Sequence, residues 1–265
     1  MGVPALLVLD FDGVVCDGRP EYFETAWRAY VATWPEPLTR VRPDPVADRF
    51  AALRPLIESG WEMPLLVHAL LAGVDARALK DRHGWLEAAP ALLKSGGVTA
   101  ETLGRALNQV RDEWFARDPA DWLACHRFYP GVPARLVALL EGPTAAVIVT
   151  TKTERFARAL LRGADPRLSA MTVIGREPGQ PVPKPAILRR LADRHGLGAD
   201  AAGMWFVEDM LETLEATAAR ADVAGVRLFL ADWGYNTPAD RARVGGRIAL
   251  LSLQRFAAPL ETWPS

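Results

Sequence analysis

Apolar residues follow two different periodicities along this chain. The short β-rich run from Leu6 to Phe11 ends in an Asp-Gly pair, which predicts a buried strand followed by a turn. From about residue 21 to residue 127, apolar residues instead recur at the spacing of one helix face, and prolines and the Gly96-Gly97 pair interrupt the pattern. This second pattern predicts an all-helical block of about a hundred residues.

After Tyr129-Pro130-Gly131, short and fully apolar segments alternate with helical ones. Such alternation is typical of a parallel sheet that helices cover on both faces. We therefore predict an α/β protein with a Rossmann-like core, residues 1–17 and 129–265, and an all-helical cap, residues 18–128, inserted after the first strand. The predicted strands of the second core segment are 145–149, 171–174, 204–207, 226–230 and 248–251, and its predicted helices are 153–161, 185–195 and 211–220.

The composition indicates a globular protein without a strongly charged partner. Half of the 265 residues are apolar, 24% are charged, and the formal net charge is −1. This balance predicts neither nucleic acid nor an anionic membrane as a partner. The N-terminus lacks the basic segment of a signal peptide, and the longest apolar stretch, about residues 63–74, is too short to span a bilayer. The two cysteines lie far apart in the sequence and favour a reduced protein, so we predict a cytoplasmic monomer or homodimer.

The segment Asp10-Phe11-Asp12-Gly13 is the strongest candidate for chemistry. Two carboxylates one residue apart point to opposite sides of an extended strand unless the backbone bends, and Gly13 permits a bend. With that bend, one carboxylate can attack phosphorus in line while the other reaches the leaving-group oxygen. A solvated acidic turn would have the same residues, so this motif alone does not establish a catalytic role.

Two further segments offer groups that can bind phosphate. The hydroxyl of Thr150 and the backbone N–H groups after it, at Thr151, can hold a phosphate oxygen where the next helix begins. Capping of that helix is the competing role. Lys184 is fixed between Pro183 and Pro185, so its ammonium suits neutralising a phosphoryl group and a carboxylate nucleophile. The alternative is a surface lysine before a helix that starts with proline.

Glu208 and Asp209 end a later strand and are candidates for metal binding. Mg²⁺ is a hard cation that prefers carboxylate oxygen, keeps several waters and accepts substrate phosphate as a ligand. Asp209 beside Asp10 would form such a site, with Glu208 as a further candidate ligand. Favourable electrostatics at a helix N-terminus would also explain acids at these positions.

In order and spacing, these segments resemble the motifs of the haloacid dehalogenase-like superfamily. Asp10-Phe11-Asp12-Gly13-Val14 is similar to the first motif, Thr150 to the second, Lys184 to the third and Glu208-Asp209 to the fourth. Two stretches, Tyr129-Pro130-Gly131-Val132 and Val149-Thr150-Thr151-Lys152, are also similar to the branches that act on sugar phosphates and phosphoglycolate.

The fourth motif departs from the family pattern at one position. The family usually has a second acid four residues after the metal-binding aspartate, and here that position is Thr213. Glu212 comes one residue early. We therefore predict Asp209 as the ligand and keep Glu208 and Glu212 as candidates for direct or water-mediated contact.

The resemblance implies a Mg²⁺-dependent phosphatase that hydrolyses a small phosphate monoester through an aspartyl-phosphate. Asp10 would be the nucleophile and Asp12 the general acid and base. The ion would be held by the Asp10 carboxylate, the Asp12 main-chain carbonyl and Asp209. Phosphate oxygens would be bound by hydroxyl, ammonium and backbone groups at Asp12, Gly13, Thr150, Thr151 and Lys184.

Two other functions share this core. A phosphomutase of the β-phosphoglucomutase type would shield the aspartyl-phosphate from water until the sugar rebinds, which the sequence does not show. A non-catalytic protein that binds a phosphorylated metabolite is the other alternative. Intact Asp10, Asp12, Lys184 and Asp209 argue against it, because a binding protein needs no nucleophile.

The cap would supply the contacts to the leaving group, and its most suggestive segment is a glycine-containing turn at residues 54–64. We predict that Arg54, Glu58 and Trp61 touch a small phosphorylated metabolite. The alternative is that Trp61 fills the core of the cap and that the charges are solvated.

Overall fold

The structure is a computed structural model that describes residues 2–34, 42–74, 79, 81–176 and 183–264. The chain divides into two compact units: Met1–Asp17 with Arg127–Ser265, and Gly18–His126. Of the helices described, none combines the length and the hydropathy that a bilayer crossing requires.

The first unit contains every strand that the described residues form. Six of these strands make one parallel sheet, in the spatial order β5-β4-β1-β6-β7-β8, and the other two, β2 and β3, form a short antiparallel pair. The strands are β1 (Leu6–Leu9), β2 (Cys16–Asp17), β3 (Arg127–Phe128), β4 (Ala145–Thr153), β5 (Thr172–Arg176), β6 (Met204–Glu208), β7 (Arg227–Ala231) and β8 (Ile248–Leu251).

Helices form all of the regular structure that is described in the second unit and cover the sheet of the first. The helices of the second unit are α1 (Arg19–Thr33), α2 (Val46–Leu53), α3 (Glu62–Leu71), α4 (Arg82–Ser95), α5 (Ala100–Arg117) and α6 (Pro119–Ala124). Those of the first unit are α7 (Val132–Leu140), α8 (Glu154–Ala164), α9 (Lys184–Arg194), α10 (Leu211–Ala218), α11 (Pro238–Arg243) and α12 (Leu253–Ala257). The predicted fold class, an α/β protein with a parallel sheet and an inserted helical cap, is confirmed.

The central position of β1 explains its composition. Its four residues are fully buried, as a strand with neighbours on both edges and helices on both faces must be. One core cluster joins Val8 of β1 and Phe206 of β6 to Leu188 of α9 and Leu214 of α10. Burying side chains of this size stabilises the folded state by about 1.5–3 kcal/mol each.

The strand register determines which polar residues become neighbours. Leu9, the last residue of β1, lies opposite Ile148 of β4 on one side and Val207 of β6 on the other. The residues that follow these three therefore emerge at the same edge of the sheet. In open α/β sheets this carboxyl edge is where ligands bind.

Tryptophans fill the core of the second unit. Trp85, Trp114 and Trp122 are at most 2% exposed. The indole N–H of Trp114 donates to the Asp121 carboxylate at 2.8 Å, and that of Trp122 donates to the buried Glu21 carboxylate at 3.2 Å. The three buried indole rings therefore stabilise the helical unit, and those of Trp114 and Trp122 also have partners for their N–H groups.

Candidate active site

The chain turns sharply as soon as β1 ends. Asp10 still belongs to the sheet, because its N–H donates to the Val207 carbonyl at 2.9 Å. Two residues on, Gly13 has a φ of +86°, and its N–H donates to the Cys16 carbonyl at 2.9 Å. Few residues other than glycine adopt this left-handed backbone without strain. The bend that was expected at Gly13 is present, and it places Asp12 on a loop rather than on the strand.

Three buried carboxylates meet at this edge of the sheet. Asp10, Glu208 and Asp209 are between 1% and 5% exposed, and a carboxylate oxygen of each lies within 4.8 Å of the others. Lys184, the first residue of α9, contacts two of them: its Nζ lies 2.7 Å from Asp10 Oδ1 and 2.6 Å from Glu208 Oε2. The structure thus brings together four residues that are up to 199 positions apart in sequence.

The electrostatics of this cluster are dominated by burial. Burial raises the pKa of Asp10 to about 7, and the nearby carboxylates of Glu208 and Asp12 add to the rise, although the Lys184 ammonium opposes it. Burial alone would lower the pKa of Lys184. The carboxylates of Asp10 and Glu208 outweigh that effect and raise it, so Lys184 stays charged at neutral pH.

The donor set fits a divalent metal ion. Three buried carboxylates face one ammonium, so the fully ionised cluster carries two uncompensated negative charges. Buried charges are costly unless they are paired or coordinate a metal. All three side chains offer the hard oxygen ligands that Mg²⁺ and Ca²⁺ prefer.

Glu208 has a different environment from the other two acids. Its Oε2 accepts a hydrogen bond from Lys184, and its Oε1 accepts bonds from the backbone N–H groups of Asp209 and Met210, each at 3.3 Å. Both oxygens are therefore engaged with the protein, which favours a role in fixing Lys184 over direct metal binding. Glu212 is exposed on the first turn of α10 and does not belong to the three-carboxylate cluster.

Asp12 has a buried cationic neighbour that the sequence analysis did not assign to the site. Lys152 lies near the end of β4, and its Nζ is 3.3 Å from Asp12 Oδ1. Its side chain is 4% exposed. The signal in the sequence was weak: Lys152 is one of four lysines in the chain, but it lies where a helix cap was expected.

The predicted phosphate-binding threonines differ in exposure. Thr150 is buried, and its hydroxyl accepts a hydrogen bond from the Lys152 N–H at 3.0 Å. A hydroxyl that accepts in this way keeps its own proton as a donor. Thr151 is exposed. The N-cap residue of α8 is Thr153, whose side chain makes no capping hydrogen bond.

A loop after β7 also reaches the acidic cluster, and sequence reasoning missed it. The N–H of Tyr235 donates to Asp209 Oδ2 at 2.7 Å, and the side-chain amide of Asn236 donates to the Asp209 carbonyl at 3.0 Å. Both residues are buried. Their position after a strand adjacent to β6 was the available signal, because the carboxyl ends of neighbouring parallel strands share one edge.

The three predicted substrate contacts all lie in the second unit. The guanidinium of Arg54 is buried and donates to the Ile57 carbonyl. Glu58 has a side chain that is 58% exposed, and it accepts a bond from Arg82 at 3.2 Å. Trp61 is half-buried and precedes α3. Arg54 thus supports the backbone of its own turn, while Glu58 and Trp61 keep surface available for a ligand.

A parallel sheet that gathers buried carboxylates and a lysine at its carboxyl edge is suited to metal-assisted catalysis. The sequence model of the haloacid dehalogenase-like hydrolases matches residues 4–221 of this chain. The chain belongs to this family. The resemblance inferred from the four sequence segments is therefore confirmed.

Known relatives agree with this assignment. The chain is 37% identical over 177 residues to a phosphoglycolate phosphatase of Rhodospirillum rubrum, an alignment that covers 63% of this chain and 68% of the relative. A predicted phosphatase from Clostridium acetobutylicum has a similar structure, with a TM-score of 0.62 at 13% identity over 97% of both chains. A predicted phosphoglycolate phosphatase from Haemophilus somnus gives a TM-score of 0.60 at 16% identity over 92% of both chains. At these identities, the two structures support the fold alone.

Proposed function

We propose that this protein is a Mg²⁺-dependent phosphatase that hydrolyses a small phosphate monoester through an aspartyl-phosphate on Asp10. One observation carries the proposal: Asp10 Oδ1 lies 2.7 Å from the Lys184 ammonium, within a cluster of buried carboxylates at the carboxyl edge of the sheet. Membership of a hydrolase family and similarity to a named phosphoglycolate phosphatase support it.

In the first step, an oxygen of Asp10 attacks phosphorus as the ester bond to the leaving alkoxide breaks. The product is an acyl phosphate on Asp10, and a water then cleaves its phosphorus–oxygen bond to release inorganic phosphate. Splitting one difficult displacement into two easier ones is the advantage of a covalent intermediate.

Asp12 is the group that we assign to proton transfer. In the first step it protonates the leaving oxygen, and in the second it takes a proton from the attacking water. Its loop, bent at Gly13, holds it beside rather than among the three clustered acids. The Lys152 ammonium at 3.3 Å from its Oδ1 limits where that carboxyl can point.

Charge in the transition state collects on the phosphoryl oxygens that are neither attacking nor leaving. We assign their stabilisation to the Lys184 ammonium, the Thr150 hydroxyl and the backbone N–H groups near Gly13 and Thr151. Preorganised donors of this kind contribute more in a water-poor site than in solution. Lys184 is preorganised because two carboxylates fix its Nζ.

The metal ion is assigned to Asp10, Asp209 and the main-chain carbonyl of Asp12, and we propose Mg²⁺. When bound, a divalent cation offsets the repulsion between the Asp10 carboxylate and the phosphate dianion. Asp209 fits this role because it is buried and its Oδ2 already accepts a bond from Tyr235, which fixes the plane of the carboxylate.

The proposed substrate class is phosphoglycolate or a small sugar phosphate. Phosphoglycolate is proposed because the relative from R. rubrum is named a phosphoglycolate phosphatase. Both substrates are also supported by the resemblance at Tyr129-Pro130-Gly131-Val132. A cytoplasmic location agrees with such a metabolite as substrate and stays a prediction from the sequence.

Release of p-nitrophenol from its phosphate ester tests the proposed reaction. We expect turnover with added Mg²⁺ and loss of nearly all of it in excess chelator, with recovery when Mg²⁺ is restored. Turnover that persists in chelator would contradict the proposal. With a sugar phosphate as substrate, an isomerised sugar phosphate in place of free phosphate would instead establish a phosphomutase.

A panel of phosphate esters tests the predicted role of the cap. We expect Trp61→Ala, and separately Glu58→Gln, to raise KM for the preferred metabolite by about tenfold, the loss of roughly 1.4 kcal/mol of binding. Turnover of p-nitrophenyl phosphate should change little. Glu101→Gln, an exposed acid on α5, is the matched control. Unchanged selectivity in both variants would refute the cap contacts.

A further inference from the structure

We infer that Asn236 is a positioning residue for the metal ligand Asp209, and that its role is to set the affinity of the metal site. The inference rests on the proposed function, because it assigns Asp209 to a Mg²⁺ site. It adds a residue from the loop after β7, outside the four segments that carry the family resemblance.

The contacts of Asn236 form a bridge between two strands. Its Nδ2 donates to the Asp209 carbonyl, directly after β6, at 3.0 Å and to the carbonyl of Ala231, the last residue of β7, at 2.8 Å. A side-chain amide has two donor hydrogens, and here each has an acceptor. Asn236 therefore connects the ends of two adjacent strands at the point where the acidic cluster lies.

The other end of the amide is also fixed. The Arg241 guanidinium, on α11, donates to Asn236 Oδ1 at 2.9 Å and to the Asn236 carbonyl at 3.1 Å. Asn236 is 8% exposed, so water competes little for these bonds. The amide nitrogen and the amide oxygen of Asn236 thus both have partners, and these partners set the orientation of the side chain.

Asp209 is held on its second side by the same loop. The Tyr235 N–H donates to Asp209 Oδ2 at 2.7 Å. A Cβ added to Gly234 would lie 2.3 Å from Asp209 Cβ and 2.7 Å from the Gly13 carbonyl oxygen. The loop therefore packs against both the backbone and the carboxylate of Asp209. Movement of this loop would have to move the carboxylate as well.

Outer groups that orient a metal ligand typically change metal affinity or activity by about 10–100-fold when they are removed. Asn236 holds the main-chain carbonyl of Asp209 by a hydrogen bond. We infer that this bond also keeps the Asp209 carboxylate in its position beside Asp10. Loss of this bond leaves Asp209 able to ligate but less often in the required position. The expected result is weaker metal binding with nearly normal turnover once the metal is saturating.

Calorimetric titration of the purified full-length protein with Mg²⁺ tests the inference without relying on activity. We expect Asn236→Ala to raise the Kd for Mg²⁺ by about tenfold. The activity assay should show the same increase in the Mg²⁺ concentration needed for half-maximal rate, with kcat at saturating Mg²⁺ within about threefold of the wild-type value.

Thr237→Ala is the matched control in the same loop. Thr237 caps α11 through a reciprocal pair of hydrogen bonds with Asp240, and neither residue contacts Asp209 in the described hydrogen-bond network. Loss of the cap should lower Tm by a few degrees, roughly 2–4 °C for a chain of this size, and leave the Kd unchanged. An equal rise of Kd in Thr237→Ala would show that loop stability alone matters and would overturn the inference.

A second variant covers the case in which Asn236→Ala does not fold. Arg241→Met removes the guanidinium that orients the amide but leaves Asn236 in place, and it should weaken Mg²⁺ binding by about threefold. Wild-type Kd values in the folded variants would refute the role of Asn236 while leaving the phosphatase proposal intact. A wild-type protein that binds no Mg²⁺ would refute both.

Discussion

Replacing Asp10 with asparagine is expected to reduce phosphatase turnover by at least about a thousandfold, which is the scale on which removal of a nucleophile acts. An amide oxygen is a poor nucleophile and carries no charge to form an acyl phosphate. The steady-state release of p-nitrophenol at saturating Mg²⁺ measures the loss. Acid-quenched protein incubated with labelled substrate should retain a phosphoryl group in the wild type and none in Asp10→Asn.

The same substitution has a distinct effect on stability. The pKa of Asp10 is raised from 3.8 to about 7 in the folded, metal-free protein. Between these values the folded state binds a proton that the unfolded state releases, so this group's contribution to stability is present at low pH and is lost as pH rises through about 7. Asparagine does not titrate. In chelator, Asp10→Asn should therefore gain stability relative to wild type between pH 5 and pH 8.

This comparison separates a catalytic loss from a folding defect. A variant that is inactive yet at least as stable as wild type at pH 8 has lost chemistry rather than structure. Glu101→Gln, which neutralises an exposed acid on α5, is the matched control and should change neither activity nor the pH profile of unfolding. Activity that survives in Asp10→Asn would end the proposed mechanism.

The sheet could be predicted from the sequence because its strands are short apolar runs bounded by turns. β1 is the clearest case: a short apolar run followed directly by Asp10 and an Asp-Gly turn is typical of a buried strand that ends at a polar edge. β4 shows where this reasoning stops. Hydropathy places its end near residue 149, but the strand continues past a register irregularity to Thr153, which pairs with Arg176 of β5. The polar residues of this extension, among them the buried Lys152, carry no strand signal that hydropathy registers.

The meeting of distant acids could be predicted for the same reason as the sheet. Parallel strands align their carboxyl ends, so residues that follow β1 and β6 are neighbours whatever their separation in the chain. The partners of those acids could not be predicted. The bond from Tyr235 to Asp209 is made by a backbone N–H, which every residue but proline possesses, so residue identity carried no signal.

The pairing of Lys184 shows a second limit. The sequence predicted a rigid lysine near the nucleophile, and the structure adds a second carboxylate, Glu208, on its other side. Which of two adjacent acids faces the lysine depends on the pleat of β6 and on the start of α10. These are properties of the folded chain rather than of the Glu-Asp pair. The lysine therefore links Asp10 to the end of β6 and has a structural role besides its proposed catalytic one.

Lys184→Met is expected to have the largest combined effect on stability and activity. Removing one partner of a buried ion pair costs about 3–5 kcal/mol, because the remaining charges stay buried without compensation. Here Asp10 and Glu208 would both lose their ammonium partner, beside Asp209. Chemical denaturation in chelator at pH 8 measures this cost. Turnover should fall by at least about a hundredfold, since a preorganised cationic donor to the phosphoryl oxygens is lost.

Both pH and Mg²⁺ should change the stability that Lys184→Met loses. Lowering the pH to 5 should recover much of the lost stability, because Asp10, whose pKa burial raises to about 7, is then protonated and no longer repels the neighbouring carboxylates. Added Mg²⁺ should recover stability at pH 8, since a divalent cation among the same carboxylates supplies the missing positive charge. Lys94→Met, an exposed lysine of α4, should show none of these effects. If Lys184→Met unfolds like wild type at pH 8 without metal, the three carboxylates do not depend on this lysine, and the electrostatic account of the site fails.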